Sequence, residues 1–168
     1  MRVLEQAFRE QADGKVKQVP PLRFMNRGMR MVVGGLEAQD KNGLRVSVTG
    51  GESVALLYEI TSGNLIALMG YPFSHLRIGA TVGLAIDRLS NPEAKSIALI
   101  GSGRLAMPIL EPAVAVRSIT HVFVYSRNPE NCESFARKAS EKFKLPVAAV
   151  ANPQRAIDQA QIELVSTN

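Results

Sequence analysis

The sequence predicts an α/β fold, with a parallel sheet in its second half and a smaller α+β region ahead of it. Three observations carry this. Beyond Pro92, short apolar runs alternate with helical stretches, as in Ser96–Ile100, 103–117, His121–Tyr125 and Pro129–Phe143. Parallel neighbours cannot be joined by a tight turn, so strands spaced by helices imply right-handed crossovers. Before that point, alternating apolar runs are separated only by turn residues, which is the pattern of an antiparallel sheet. The 168 residues, 46% apolar and 21% charged, suffice for one ordinary domain or two small ones.

The elements follow in order. Val3, Leu4, Ala7 and Phe8 stand three or four apart, one apolar helix face ending at Gly14. Pro20-Pro21 then forces extension, and strands are expected over 22–25, 29–33, 44–48 and 54–60. The last is joined through Thr61-Ser62-Gly63-Asn64 to a strand over 65–69, forming a hairpin. Tyr71-Pro72 ends this sheet, and a helix over 74–89 carries Leu76, Ala80, Gly83, Leu84 and Ala85 near one face until Asn91-Pro92 closes it. The second half continues with a strand over 147–150, a short helix over 153–160 and a strand over 163–166. This last strand is left with apolar side chains and backbone groups awaiting a neighbour.

Composition narrows the function classes. Mean hydropathy is +0.02, and no apolar run approaches the roughly 20 residues of a membrane span. The first nine residues lack the order of a secretory signal. A single cysteine, Cys132, cannot form an internal disulfide, and with His75 and His121 it offers no metal-ligand spacing, which fits a reducing cytoplasmic setting. The net charge of +5 comes from scattered Lys and Arg, and there is no Trp. Neither a basic stripe nor an aromatic platform for nucleic acid is formed, whereas a small anionic ligand explains the excess.

The strongest local signal is Gly101-Ser102-Gly103-Arg104-Leu105-Ala106, directly after one strand and at the start of a helix. Gly101 permits a tight turn, Gly103 admits a pyrophosphate to the backbone, and Ala106 allows close helix-to-strand packing. This reads as the dinucleotide turn of a Rossmann-type sheet, of which the sequence contains the first half. Pro108 and Pro112 trouble the helix that follows, so either a kink or a late start is expected. The next strand ends in Tyr125-Ser126-Arg127-Asn128, without the carboxylate that would bind a ribose 2′-hydroxyl. Ser126, Arg127 and Asn128 suit a 2′-phosphate instead, which favours NADP(H) over NAD(H). Three further arginines stand out by position. Arg45 alternates with the valines of its strand, Arg23 follows the stiff proline pair, and Arg77 lies in the first turn of its helix, one turn before Thr81. A cation there opposes the helix dipole and makes sense when it faces an anion.

The run Met69-Gly70-Tyr71-Pro72-Phe73-Ser74-His75-Leu76-Arg77-Ile78-Gly79-Ala80-Thr81-Val82-Gly83-Leu84-Ala85, followed by Ile97–Gly103 and Val124-Tyr125-Ser126-Arg127, resembles the ornithine cyclodeaminase and mu-crystallin family. The likeness spans nearly the whole chain. It implies an NAD(P)-binding Rossmann domain attached to a substrate and dimerisation domain, acting on amino acids or cyclic imino acids. By that resemblance Arg23 and Arg77 match positions holding the substrate carboxylate, and Arg45 stands where the family has lysine. Arginine keeps the charge there but does not readily exchange a proton. Ile78 replaces a Thr found in many members. The cofactor set implied is Thr81, Gly101, Ser102, Gly103, Arg104, Leu105, Ala106, Ser126, Arg127, Asn128, Ser166 and Thr167.

The expected organisation is a partial substrate/dimerisation domain over 1–90 and the first half of an NAD(P)-binding domain over 91–168. Both ends look cut relative to the family, whose catalytic aspartate would lie beyond residue 168. The expected activity is that of a ketimine or pyrroline-2-carboxylate reductase or an ornithine cyclodeaminase, in a homodimer. The alternative is a catalytically incomplete piece that binds only nucleotide or a partner chain.

Overall fold

A computed structural model describes residues 2–26, 29–38, 40–48, 53–70 and 73–167. The Tyr71-Pro72 pair expected to end the first sheet lies outside them. The chain falls into two compact units, Arg2–Ser74 and His75–Asn168.

The first unit opens with helix α1 (Arg2–Ala12) and continues as a meander of five antiparallel strands. These are β1 (Val16–Asn26), β2 (Met29–Ala38), β3 (Lys41–Val48), β4 (Ser53–Glu59) and β5 (Leu65–Gly70), paired in chain order. Gly14, at φ 72°, ends α1 in the left-handed conformation that only glycine adopts cheaply. The α1 face expected to be apolar is not a buried one: Val3 is 82% exposed. β1 starts six residues earlier than expected because it runs through Pro20-Pro21, where its pairing with β2 shifts register between Val19 and Leu22. A proline pair cannot donate to a ladder, and an edge strand with a bulge is where that is tolerated. The expected hairpin is present: Gly63, at φ 72°, donates to Glu59 O, and Glu59 N donates to Asn64 O.

The second unit begins within helix α2 (Phe73–Leu89) and holds a four-stranded parallel sheet. Its strands are β6 (Ser96–Ile100), β7 (His121–Tyr125), β8 (Val147–Ala149) and β9 (Ile162–Val165), in spatial order β8-β7-β6-β9. Helices α3 (Ala106–Val116), α4 (Pro129–Phe143) and α5 (Pro153–Ile157) make the crossovers. The order runs outward from β6 through β7 to β8, then returns to the other side of β6. Open α/β sheets bind ligands at the carboxyl end of such a reversal.

Ile97, Ala98 and Leu99 of β6 are fully buried, so both faces of this central strand are covered. Helices pack on it with period 3.6: α3 buries Ala106, Ile109, Leu110 and Ala113, and α4 buries Cys132, Phe135, Ala136 and Ala139. Burying Leu99 or Leu110 completely contributes about 1.5–3 kcal/mol each.

As packing units, the division falls between Ser74 and His75 rather than at 90/91, because α2 packs with the parallel sheet. Ile86 belongs to its core. Arg117, just past α3, has a side chain only 7% exposed and donates to the carbonyls of Ile86 (2.8 Å), Asp87 (2.8 Å) and Ser90 (3.3 Å), satisfying the open C-terminal end of α2. Of the two alternatives for α3, the structure adopts the late start: Pro108 becomes the third helical residue, where no donor is lost, and Pro112 alone lies inside.

Candidate functional site

A cleft of about 430 Å³ opens at the carboxyl ends of β6, β7 and β9, lined by Ile100, Gly101, Ser102, Gly103, Tyr125, Ser126, Arg127, Ser166 and Thr167. Its floor is tied together by backbone bonds. Gly101 N donates to Tyr125 O (2.7 Å), and Ser166 N donates to Ile100 O (2.8 Å). Gly101 is at φ 107°, and a Cβ built on it would stand 2.3 Å from Ser166 O. Both the turn and the close approach of the β9 end therefore require glycine here. Gly103 is different: the nearest atom to a Cβ would be Ser166 O at 4.0 Å, so its missing side chain leaves open space rather than relieving a clash.

Helix α3 begins three residues after Gly103. Its N-cap, Leu105, makes no side-chain capping bond, whereas α4 and α5 are capped by Asn128 and Asn152, which accept from Asn131 N and Arg155 N. Ala106 N donates to Gly103 O (3.0 Å) and Pro108 has no N–H, so the positive end of the helix dipole is what favours an anion at this end. Arg127 lines the same cleft, is exposed, and makes no ion pair with any described residue. Among the described residues, no Asp, Glu, His or Lys lines it. Behind the β7–α4 loop, Cys132 is buried and donates from Sγ to Val124 O (3.2 Å). Burial pushes its thiol up from the ordinary value, with backbone N–H groups of Ser126 and Val150 opposing. It packs; it is not poised to react. Among the described residues no cluster of three His, Cys, Asp or Glu side chains could hold a metal, and no helix is long and apolar enough to cross a membrane.

The structure thus brings together Gly101, Ser102, Gly103, Ser126, Arg127, Ser166 and Thr167 from the expected set. Arg104, Leu105 and Ala106 do not line the cleft: Arg104 is exposed, Leu105 is the N-cap, and Ala106 is buried in the core. Asn128 also stays out of the lining, since its Oδ1 is engaged with Asn131 N (2.8 Å). Thr81 Oγ1 donates back to Arg77 O (2.9 Å), and Thr81 is not among the lining residues. Because α2 starts at Phe73, Arg77 is its fifth residue and lies past the first turn, so the helix dipole opposes it less than expected. Ile100 and Tyr125 were missed. They are register partners at the ends of β6 and β7, and the last residue of each parallel strand was the available signal.

In the first unit, Arg23 pairs with Val32, which pairs with Ser47, while Arg45 pairs with Gly34 and Ala55. Cross-strand partners share a face, so Arg23, Arg45 and Ser47 project from one side of the sheet. Ser47 Oγ is buried without a hydrogen-bond partner. The opposite side presents Leu22, Phe24, Leu44 and Leu68, all substantially exposed.

The model of the ornithine cyclodeaminase/mu-crystallin family matches residues 1–168. A Delta(1)-pyrroline-2-carboxylate reductase of Bacillus cereus is 35% identical over 116 residues, 68% of this chain and 36% of its own length. The chain therefore matches only about a third of that relative. The Delta(1)-pyrroline-2-carboxylate reductase of Thermococcus litoralis, solved with NADH and L-proline, superposes with a TM-score of 0.87 at 26% identity over 97% of this chain and 55% of its own. The iminosuccinate reductase of Paracoccus denitrificans, solved with NAD+, gives 0.89 at 20% identity over 99% and 56%, a likeness of fold.

Proposed function

The chain belongs to the ornithine cyclodeaminase/mu-crystallin family, and from that membership we propose that it is the nucleotide-binding and carboxylate-binding part of an NAD(P)-dependent enzyme acting on an amino acid or cyclic imino acid. Reduction of a pyrroline-2-carboxylate-like imine is the preferred reaction, with an ornithine cyclodeaminase-like reaction next. The observation that carries this reading is the cleft at the β6/β7/β9 ends, lined by a glycine turn that leads into α3 and by an exposed arginine that makes no ion pair with any described residue. The residues fit a dinucleotide: the space beside Gly103 is what a side chain there would occupy, and the lining offers positive charge without a carboxylate.

A nicotinamide group, when bound, exchanges a hydride with the substrate carbon. The chain's own residues do the rest. N–H groups of the Ser102–Gly103 turn hold the diphosphate, with the α3 dipole behind them and Ser166 and Thr167 forming the facing wall. Ser126 and Arg127 hold a 2′-phosphate, which makes NADP(H) the preferred cofactor. Arg23, Arg45 and Arg77 anchor the substrate carboxylate, a contribution to rate by orientation. Arg45 supplies charge and no readily exchangeable proton. A homodimer formed through the substrate-side unit, in the cytoplasm, completes the reading.

Titration of the chain with NADPH and NADH by fluorescence, then absorbance of NADPH with Delta(1)-pyrroline-2-carboxylate, tests it. Binding of both, NADPH tighter, with slow loss of absorbance is expected; no binding of either overturns it. A second reading, nucleotide binding without turnover, is favoured by a lining whose described residues include no Asp, Glu, His or Lys, and binding with no loss of absorbance would establish it.

A further inference from the structure

We propose that Gly79 is a positioning residue for the nucleotide cleft, acting through the first turn of α3; this rests on the nucleotide reading above. Gly79 is buried in the middle of α2, and a Cβ built on it would stand 2.1 Å from Pro108 O, 3.0 Å from Pro108 C and 3.5 Å from Pro112 Cγ. The two nearest atoms are backbone, so backbone meets backbone at this crossing and no flexible side chain can give way. The contacted carbonyl is unusual. In an α-helix it would accept from the N–H of residue 112, but Pro112 has none, so the Pro108 carbonyl is released from the helix's own ladder. A Cα–H of glycine is the group that can approach such an oxygen closely.

This joint sits in the first turn of the helix that follows directly on the cleft-lining residues Gly101, Ser102 and Gly103. Pro108 is the third residue of α3 and follows Gly103 by five positions. The other end of α2 is fixed. Arg117 holds the carbonyls of Ile86, Asp87 and Ser90, and its Nε donates to Ser90 Oγ (3.1 Å). Any side chain at 79 is thus relieved by moving the α3 start, which has no side-chain cap to hold it, rather than by moving α2. The glycine turn would move with it, away from the ends of β7 and β9.

The test uses the full chain with Gly79→Ala, Pro112→Ala and the double variant. Two readouts are taken: the NADPH dissociation constant by fluorescence, and amide hydrogen exchange across 101–107 without nucleotide. Gly79→Ala is expected to weaken NADPH tenfold or more and to speed exchange in 101–107, leaving α4 and β8 as in the parent. Pro112→Ala in the same chain returns a donor to the Pro108 carbonyl, which draws that oxygen back into the α3 ladder and away from residue 79, so the double variant is expected to recover at least threefold in affinity and slower exchange. A merely structural defect would not be confined to 101–107 or be rescued in affinity by a second change outside the cleft. Affinity within twofold of the parent together with unchanged exchange in Gly79→Ala overturns the proposal. If that variant does not fold, the double variant decides: folding with NADPH affinity within tenfold of the parent supports the joint, and failure to fold or bind overturns it. If the parent itself binds no NADPH, the nucleotide reading falls, and unaltered exchange in Gly79→Ala separately overturns the positioning role.

Discussion

Two glycines in one turn do different work, and substitution separates them. Gly101→Ala places a side chain at φ 107° and 2.3 Å from a carbonyl oxygen, so it should lose on the order of 2 kcal/mol or more of stability, visible in urea unfolding. Gly103→Ala meets nothing nearer than 4.0 Å and should stay within about 0.5 kcal/mol, yet weaken nucleotide binding tenfold or more by occupying the space a diphosphate needs. Arg127→Ala should weaken NADPH far more than NADH in the same titration; equal losses would remove the 2′-phosphate role. Asn128→Ala is the control, costing about 1 kcal/mol as a lost helix cap and shifting both nucleotides alike. Sequence grouped Asn128 with Ser126 and Arg127 by adjacency. What separates them is the geometry of a helix start, which claims the first Asn before a proline as its cap, and the same Asn-Pro pair recurs at 152–153.

At the level of elements, the parallel half was legible because each strand is a short apolar run and each helix has a cap and a period. β6, β7 and α4 match their expected bounds, and α4 also ends as its sequence allows, with Lys144 left-handed at φ 57°. The β1 strand was shortened in expectation because Pro20-Pro21 reads as an interruption, and only pairing with β2 shows that a register shift absorbs it. Likewise Gly34 and Gly35 hid the second half of β2, since glycines weaken strand propensity while the ladder to β3 continues through them. Nothing local announces that Arg117 reaches back to the end of α2; that partnership is tertiary. Arg117→Ala should therefore destabilise by on the order of 3 kcal/mol, read by thermal or urea unfolding, because the α2 carbonyls lose their donor in a site water barely enters. Arg117→Lys should recover only part, since one ammonium cannot span the same carbonyls.

Taken as a whole, the molecule combines a unit with a well-filled interior and a sheet with one strongly apolar side. Leu22, Phe24, Leu44 and Leu68 are 62%, 52%, 37% and 66% exposed. A row of this kind is a common basis for self-association. Leu44→Lys with Leu68→Lys should shift the chain toward monomer in sedimentation velocity while leaving nucleotide affinity within about twofold, because the cleft lies wholly in the parallel unit. An unchanged sedimentation coefficient in a dimeric parent would place the interface elsewhere.

The reversal of strand order also has a kinetic meaning. Ile97 meets Val122 on one side after a single crossover, but meets Ile162 on the other only once the chain has passed through β7, α4, β8 and α5. Closing the longer loop carries the larger entropic penalty and reduces the chance of early contact. During refolding, helical signal should thus rise ahead of the β6–β9 zipper, and ability to capture a dinucleotide should emerge last, when Ser166 and Thr167 finally arrive beside Gly101.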